Sequence, residues 1–231
     1  MRQVGRYHVE DPAKIQGRDD LRPSDRSPGG LRLRYALQAL AEARGRVLIP
    51  GCGAGRYVRA IAQARPDLEL IGGDLSLTAV REACQRHAGG RYLALDAARL
   101  PFGDRAFSAV VFFDLLEHVP DYRGMLAEIA RVLRSGGILH AYVPLEAQPA
   151  TVYRLLEHSQ RIPIHRWKRD HVGHINRFDD EQVSRLVWEA GLEIRHLAYS
   201  FHPVGQFHDL VDYWQRERQA GGPGWLPLPV V

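Results

Sequence analysis

A glycine turn, a few strand-end carboxylates and a scatter of histidines are the residues here with chemistry to offer. The stretch "RVLIPGCGAGRYV", residues 46 to 58, reads as a short apolar strand, a turn built on Gly51, Gly53 and Gly55, and the start of a helix. Small residues at such a turn let a ligand approach the backbone, and the following helix offers its N-terminus. Asp74, in "LIGGDLS", ends the next strand about twenty residues on, where a carboxylate can accept both hydroxyls of a ribose. The dinucleotide fingerprint places its third glycine three residues after the second. Position 56 is Arg, which weighs against NAD or FAD.

Of the eleven histidines, His118 in "LLEHVP" and His174 in "RDHVGHINRF" stand out as candidate general bases, since imidazole titrates near neutrality. His118 falls just after a strand, at the end of the sheet where open α/β folds bind ligands. Glu117 beside it either orients the ring or faces solvent. His171 and His174 have i, i+3 spacing, but no cysteine or acidic third ligand stands near them, so no metal is expected.

The elements that must position these residues alternate along the chain. "LRLRYALQALAEA" sets Leu33, Leu37 and Leu40 on one helical face and ends near Gly45. Strands follow at "RVLIP", "LELIGGDL", "RYLALDA", "FSAVVFFDLLEHV" and "ILHAYVPLE", separated by helices at "GRYVRAIAQARP", "SLTAVREACQRHAGG" and "DYRGMLAEIARVLRSGG". Ser76 is a candidate N-cap, and the Gly136–Gly137 pair reads as a helix C-cap. Runs such as "AVVFF" suit strands buried on both faces. The fold class is therefore α/β, a Rossmann-like, doubly wound and mostly parallel sheet with helices on both faces. "DDEQVSRLVWEAG" adds a helix capped by Asp179 and closed by Gly191, and "LEIRHLAYSF" reads as a further strand.

These motifs together resemble the class I S-adenosylmethionine-dependent methyltransferases, in the branch with a "VLDLGCGTG" type of first motif. The resemblance covers residues 45 to 145 strongly and 171 to 195 more loosely. It implies that S-adenosylmethionine lies on Gly51, Cys52, Gly53 and Gly55, with Asp74 on the ribose and Leu75 against the adenine. Asp96 would accept from the adenine amino group, with the Ala97 N–H facing the ring, and Asp114 and Leu115 would flank the methionine portion. Asp104 and Phe107 match a structural turn whose aromatic enters the core. One departure is Ile49, where similar proteins carry Asp or Glu that organises the turn and the cofactor's ammonium group. The ammonium would then rely on backbone carbonyls or on Asp114.

The implied organisation is an N-terminal arm at 1–30, a methyltransferase domain at 31–200 with a lid-like insertion at about 147–178, and a C-terminal extension at 201–231. Arg161, His165, Arg166, Trp167, Lys168 and Arg169 in the insertion suit an anionic acceptor, a solvated basic face being the plainer reading. The fold implied by resemblance also needs a late central strand. The only remaining candidate, "GWLPLPVV", carries Pro227 and Pro229, which cannot donate to a central ladder.

Composition narrows the rest. With 231 residues, 45% hydrophobic, the chain can bury a full core. The net charge of +4 is spread among interleaved acids, so nucleic acid is not an expected partner. No apolar run reaches the roughly 18 residues of a membrane span, and the two cysteines form no disulfide framework, which leads us to expect a cytoplasmic location. Lys14 and Lys168 are the only lysines, a codon bias pointing to a GC-rich bacterial genome. The expected activity is methyl transfer to the O, N or C of a small-molecule acceptor. A non-catalytic cofactor-binding scaffold and a nicotinamide-dependent oxidoreductase are the alternatives.

Overall fold

The computed structural model describes residues 3–4, 7–149, 151–200 and 203–222. A hairpin of β1 (Gln3–Val4) and β2 (Tyr7–His8) opens the chain. It is followed by α1 (Pro28–Ala39), β3 (Gly45–Pro50), α2 (Arg56–Ala64), β4 (Leu68–Asp74), α3 (Leu77–Arg86), β5 (Arg91–Ala94), β6 (Phe107–Phe113), α4 (Tyr122–Val132) and β7 (Leu133–Tyr142). The remaining helices are α5 (Val152–Leu155), α6 (Ile164–Val172), α7 (Asp180–Glu189) and α8 (Pro203–Gln219).

Strands β3 to β7 form one parallel sheet in the order β5-β4-β3-β6-β7. The order reverses between β3 and β6, and their carboxyl ends therefore open a crevice suited to a ligand. Alternation along the two central strands sorts the core onto two faces. Val47, Ile49, Ala109 and Val111 meet Leu33 of α1, its C-cap residue Leu40, and Val58 and Ile61 of α2. Leu48, Val110 and Phe112 face the other way, toward Met125 and Ile129 of α4 and Leu186 of α7. All seven residues of β6 are buried, which explains its unbroken apolar run.

Four local expectations change. Helix α1 begins earlier than expected, at Pro28, because Ser27 caps it by accepting the Gly30 N–H at 3.1 Å. Gly136 and Gly137 lie inside β7 rather than capping α4. The register there jumps from Phe107 opposite Leu133 to Ala109 opposite Ile138, and Gly136, at φ +71°, turns the bulge. Within the lid-like insertion at about 147–178, the basic stretch forms a helix, α6. Residues 192–200 form no strand; they run past the sheet with Leu197 and Tyr199 exposed. The "GWLPLPVV" segment lies outside the described residues. Among the described residues, no helix is long and apolar enough to cross a membrane.

Candidate active site

The glycine turn between β3 and α2 adopts a shape that side chains resist. Gly51 sits at φ +69°, and a Cβ there would stand 2.8 Å from Leu115 Cδ1; at Gly53, φ +54°, it would stand 2.5 Å from the Gln16 carbonyl oxygen. That carbonyl accepts the Ala54 N–H at 2.8 Å, so the N-terminal arm orders directly on the turn. Asp74, at the end of β4, ties the neighbouring loops together. Its Oδ2 accepts the Gly53 N–H at 2.8 Å and its Oδ1 the Ser76 N–H at 2.9 Å. Burial raises its pKa, opposed by those two donors.

Glu10 fastens the arm at the same end. Its carboxylate accepts the N–H groups of Leu77 and Thr78 at the start of α3 and the hydroxyls of Ser76 and Thr78, at 2.7 to 3.1 Å. Slight burial works against ionisation, but these four donors prevail and hold Glu10 down to about 2. Because the folded pKa is depressed, this anchorage is complete above the ordinary carboxylate range and fades as pH falls toward 2. Glu10→Ala should lower stability by about 1 kcal/mol. A thermal melt at pH 7 checks this, and the difference from the native chain should shrink on acidification.

Ile49 borders the cavity at the strand ends, yet its side chain belongs to the core. It is 1% exposed and packs within the α1/α2 face of the core. Charged groups appear instead at the end of β6, where Arg32 Nη1 of α1 donates to Asp114 Oδ2 at 2.5 Å while its guanidinium lies 3.8 Å above the Tyr142 ring. Asp114 itself takes φ +48°. The Asp114 side chain is thus engaged by a guanidinium, an arrangement the sequence reading did not foresee.

A cavity of about 820 Å³ runs along the carboxyl ends of the strands. Gly51, Cys52, Gly53, Asp74, Leu75, Asp96, Ala97, Asp114 and Leu115 all line it, as do Arg32, His118 and His174. Gly55 stands one step back, as the left-handed residue that starts α2. Asp96 accepts the Ala98 N–H at 3.1 Å, and burial pushes the Cys52 thiol well up. Tyr7 of β2 closes the cavity from above, its ring stacked on His118 with centroids 6.3 Å apart.

His118 and His174, 56 residues apart in sequence, are brought together by one clamp. The Glu117 carbonyl accepts the N–H groups of Ile175 and Asn176 at 2.9 and 3.0 Å, and the Asn176 amide donates to the carbonyls of Leu116 and Val119 at 3.2 and 2.8 Å. The two rings meet edge to face at 4.8 Å. His118 Nδ1 lies 3.0 Å from the Gly173 carbonyl oxygen, and His174 Nδ1 lies 2.5 Å from Glu146 Oε1. Burial, then the His174 ring, push His118 down to about 3, so it is neutral at neutral pH. Glu117, 1% exposed, turns inward rather than to solvent, and burial and then Asp114 push it well above the carboxylate range. Glu146 is held down to about 2: burial opposes its charge, but Lys168 at 2.7 Å and His174 outweigh it.

Three cations of the insertion are paired within the fold. Arg166 pairs with Glu217 at 2.9 Å, Arg169 with Asp170 at 3.1 Å, and Lys168 is buried on Glu146. Trp167 is 2% exposed, packed with Tyr213 and Trp214 of α8. His171 reaches Glu217 at 2.9 Å, so it and His174 serve different carboxylates and form no pair. Sequence reasoning missed Glu10, Arg32 and Glu146. Only Glu117 carried a signal, its place beside His118.

A parallel sheet in this order, with a glycine turn at its switch point and an acid ending the next strand, defines a Rossmann-like nucleotide-binding domain. Residues 48–141 match the family described as Methyltransferase domain. Over 138 residues it is 39% identical to the ubiquinone/menaquinone biosynthesis C-methyltransferase UbiE of Desulfotalea psychrophila, covering 58% of this chain and 52% of that one. It is 27% identical over 195 residues to the ubiquinone biosynthesis O-methyltransferase of Alkalilimnicola ehrlichii, covering 79% and 75%. Among solved structures, the [4+2]-cyclase SpnF matches with a TM-score of 0.62 at 22% identity, covering 90% of this chain and 73% of that one. The chain spans about half the length of the first curated relatives it matches.

Proposed function

We propose that this chain transfers the methyl group of S-adenosylmethionine to a small-molecule acceptor held beside His118 and His174. One observation carries the reading: the glycine turn, Asp74 and Asp96 line the same cavity as the two histidines. Adenosine lies along Asp74, Leu75, Asp96 and Ala97, and the sulfonium passes Gly51 and Leu115. The amino-acid end reaches the Arg32–Asp114 pair, whose opposite charges suit its carboxylate and its ammonium. This pair takes over the task of the acid absent at position 49.

Transfer from a sulfonium is an in-line displacement, so most of the catalysis is positioning. His118 contributes as a neutral hydrogen-bond acceptor at Nε2, because a base held at about 3 is too weak to remove an acceptor proton efficiently at pH 7. His174, held by Glu146, meets the acceptor from the other side. The paired arginines of α6 remove the support for a specifically anionic acceptor.

Calorimetry with S-adenosylhomocysteine, S-adenosylmethionine and NAD tests the cofactor, and release of S-adenosylhomocysteine with hydroxylated and amino acceptors tests turnover. Failure to bind either sulfur ligand would sink the reading. Arg32→Met probes the amino-acid end: affinity for S-adenosylhomocysteine should fall about tenfold or more, since a charged hydrogen bond contributes about 1.5 to 3 kcal/mol. Affinity for 5′-methylthioadenosine, which lacks that end, should hold. Equal losses for both ligands would make Arg32 a purely structural residue. A cofactor-binding scaffold is the second reading, favoured by Ile49 in place of an acid; binding without turnover on any acceptor supports it.

A further inference from the structure

We propose that Glu117, His118 and His174 form a binding site for one divalent transition-metal cation, open to the acceptor end of the cavity. Glu117 Oε1 lies 3.8 Å from His118 Nε2 and 3.8 Å from His174 Nε2, and the three atoms stand within 4.8 Å of one another. Metal bonds of about 2.0 to 2.2 Å hold neighbouring ligand atoms a little over 3 Å apart, so the three need only draw inward by side-chain rotation. Both histidines line the cavity, which leaves coordination positions facing it.

The hydrogen bonds behind the rings support this more strongly than the spacing does. A carbonyl can only accept, so the His118 Nδ1 at 3.0 Å from the Gly173 oxygen carries the proton and Nε2 carries the lone pair. The Glu146 carboxylate, 2.5 Å from His174 Nδ1, imposes the same tautomer there. Metal-bound histidines typically donate their second ring nitrogen to a carbonyl or carboxylate in this manner, which fixes ring orientation and raises ligand strength. Lys168 balances the charge of Glu146, so that carboxylate stays with His174 and does not compete for the cation.

Glu117 is the independent observation. Both of its oxygens are buried without a hydrogen-bond partner among the described residues. Buried polar atoms are nearly always satisfied, and an orphaned carboxyl between two imidazole lone pairs asks for a cation. Two imidazoles and one carboxylate favour zinc, cobalt or iron in the divalent state over magnesium or calcium, which prefer all-oxygen shells.

The inference deepens the proposed function, resting on that reading for the acceptor but not for the cation. An acceptor hydroxyl bound to the cation loses its proton to solvent more readily. Its oxygen lone pair then forms the bond to the methyl carbon while the carbon–sulfur pair returns to sulfur, leaving neutral S-adenosylhomocysteine. With the cation bound, the His118 Nε2 lone pair holds the metal in place of the hydrogen bond to the acceptor.

The test is titration of chelator-stripped full-length protein with Co²⁺, followed by visible d–d absorption. One equivalent should bind with the intensity of a four- or five-coordinate site, and Zn²⁺ should displace it. Glu117→Gln and His174→Ala should abolish the spectrum, and Glu146→Gln should weaken binding by about 10- to 100-fold. Circular dichroism and S-adenosylhomocysteine affinity verify that each variant is folded. Absence of the spectrum in the native protein, or its persistence in folded Glu117→Gln and His174→Ala, overturns the site. Methyl transfer at full rate in chelated protein overturns the cation's role in the reaction and spares the methyltransferase reading. Co²⁺ bound by a protein that takes no S-adenosylhomocysteine does the reverse.

Discussion

Ile49→Asp should lower the melting temperature by about 10 °C or more and should not improve cofactor binding. The expectation follows from where β3 places this side chain, 1% exposed against α1 and α2. Removing it leaves a cavity in the core, and the carboxylate that replaces it enters a largely apolar, buried site; together these cost about 4 kcal/mol or more. In a domain of this size each kcal/mol shifts the midpoint by about 2 to 4 °C. The obvious repair of the departure from the family pattern is therefore harmful here, because Arg32 and Asp114 already supply charge at that end of the cavity. A variant that melts with the native chain and binds S-adenosylhomocysteine more tightly would show instead that position 49 reaches the ligand. A thermal melt and a calorimetric titration on the same preparation decide the matter.

That outcome also marks how far the sequence could be read. The strand, turn and helix around Gly51 were legible because their signals are local: an apolar run, three glycines and a helical period within a few residues. Asp74, the last residue of β4, and Asp96, just past the end of β5, were legible because the order of the elements sets both places. Arg32 was not, since it occupies a polar position in an amphipathic helix and its partner Asp114 is 82 residues away. The helix α6 was hidden for a related reason. Its buried positions include Lys168 and His171, which read as solvent-facing until Glu146 and Glu217, from distant parts of the chain, are seen to neutralise them. The stretch 192–200 misled in the opposite direction: its apolar residues suggest a strand, but Ile194, Leu197 and Tyr199 remain exposed beside the sheet. Glu117 was half legible, for its neighbour drew notice while its orientation depended on the Asn176 clamp. Local chemistry is readable from one sequence; pairings that cross the fold are not.

Asp74→Asn should weaken S-adenosylhomocysteine binding by about 100-fold, the largest effect on affinity expected of any single change here. In the native chain each oxygen of the carboxylate already accepts one backbone N–H, from Gly53 and from Ser76. A carboxylate oxygen has a second lone pair, so both remain able to accept a ribose hydroxyl. The amide keeps one oxygen and turns an NH₂ group toward the other backbone donor. That N–H loses its acceptor, either the turn or the start of α3 loosens, and one ribose hydroxyl meets a donor where it met an anion. Losing charge-assisted bonds of about 1.5 to 3 kcal/mol each gives the stated factor, with a fall of about 1 kcal/mol in stability from the backbone donor. Comparison of ligands separates the two effects. 5′-Methylthioadenosine carries the ribose and should lose affinity in parallel with S-adenosylhomocysteine, the opposite of the pattern expected for Arg32→Met. If Asp74→Asn melts earlier but binds both ligands as the native protein does, Asp74 only staples the turn, and the ribose must lie elsewhere in the cavity.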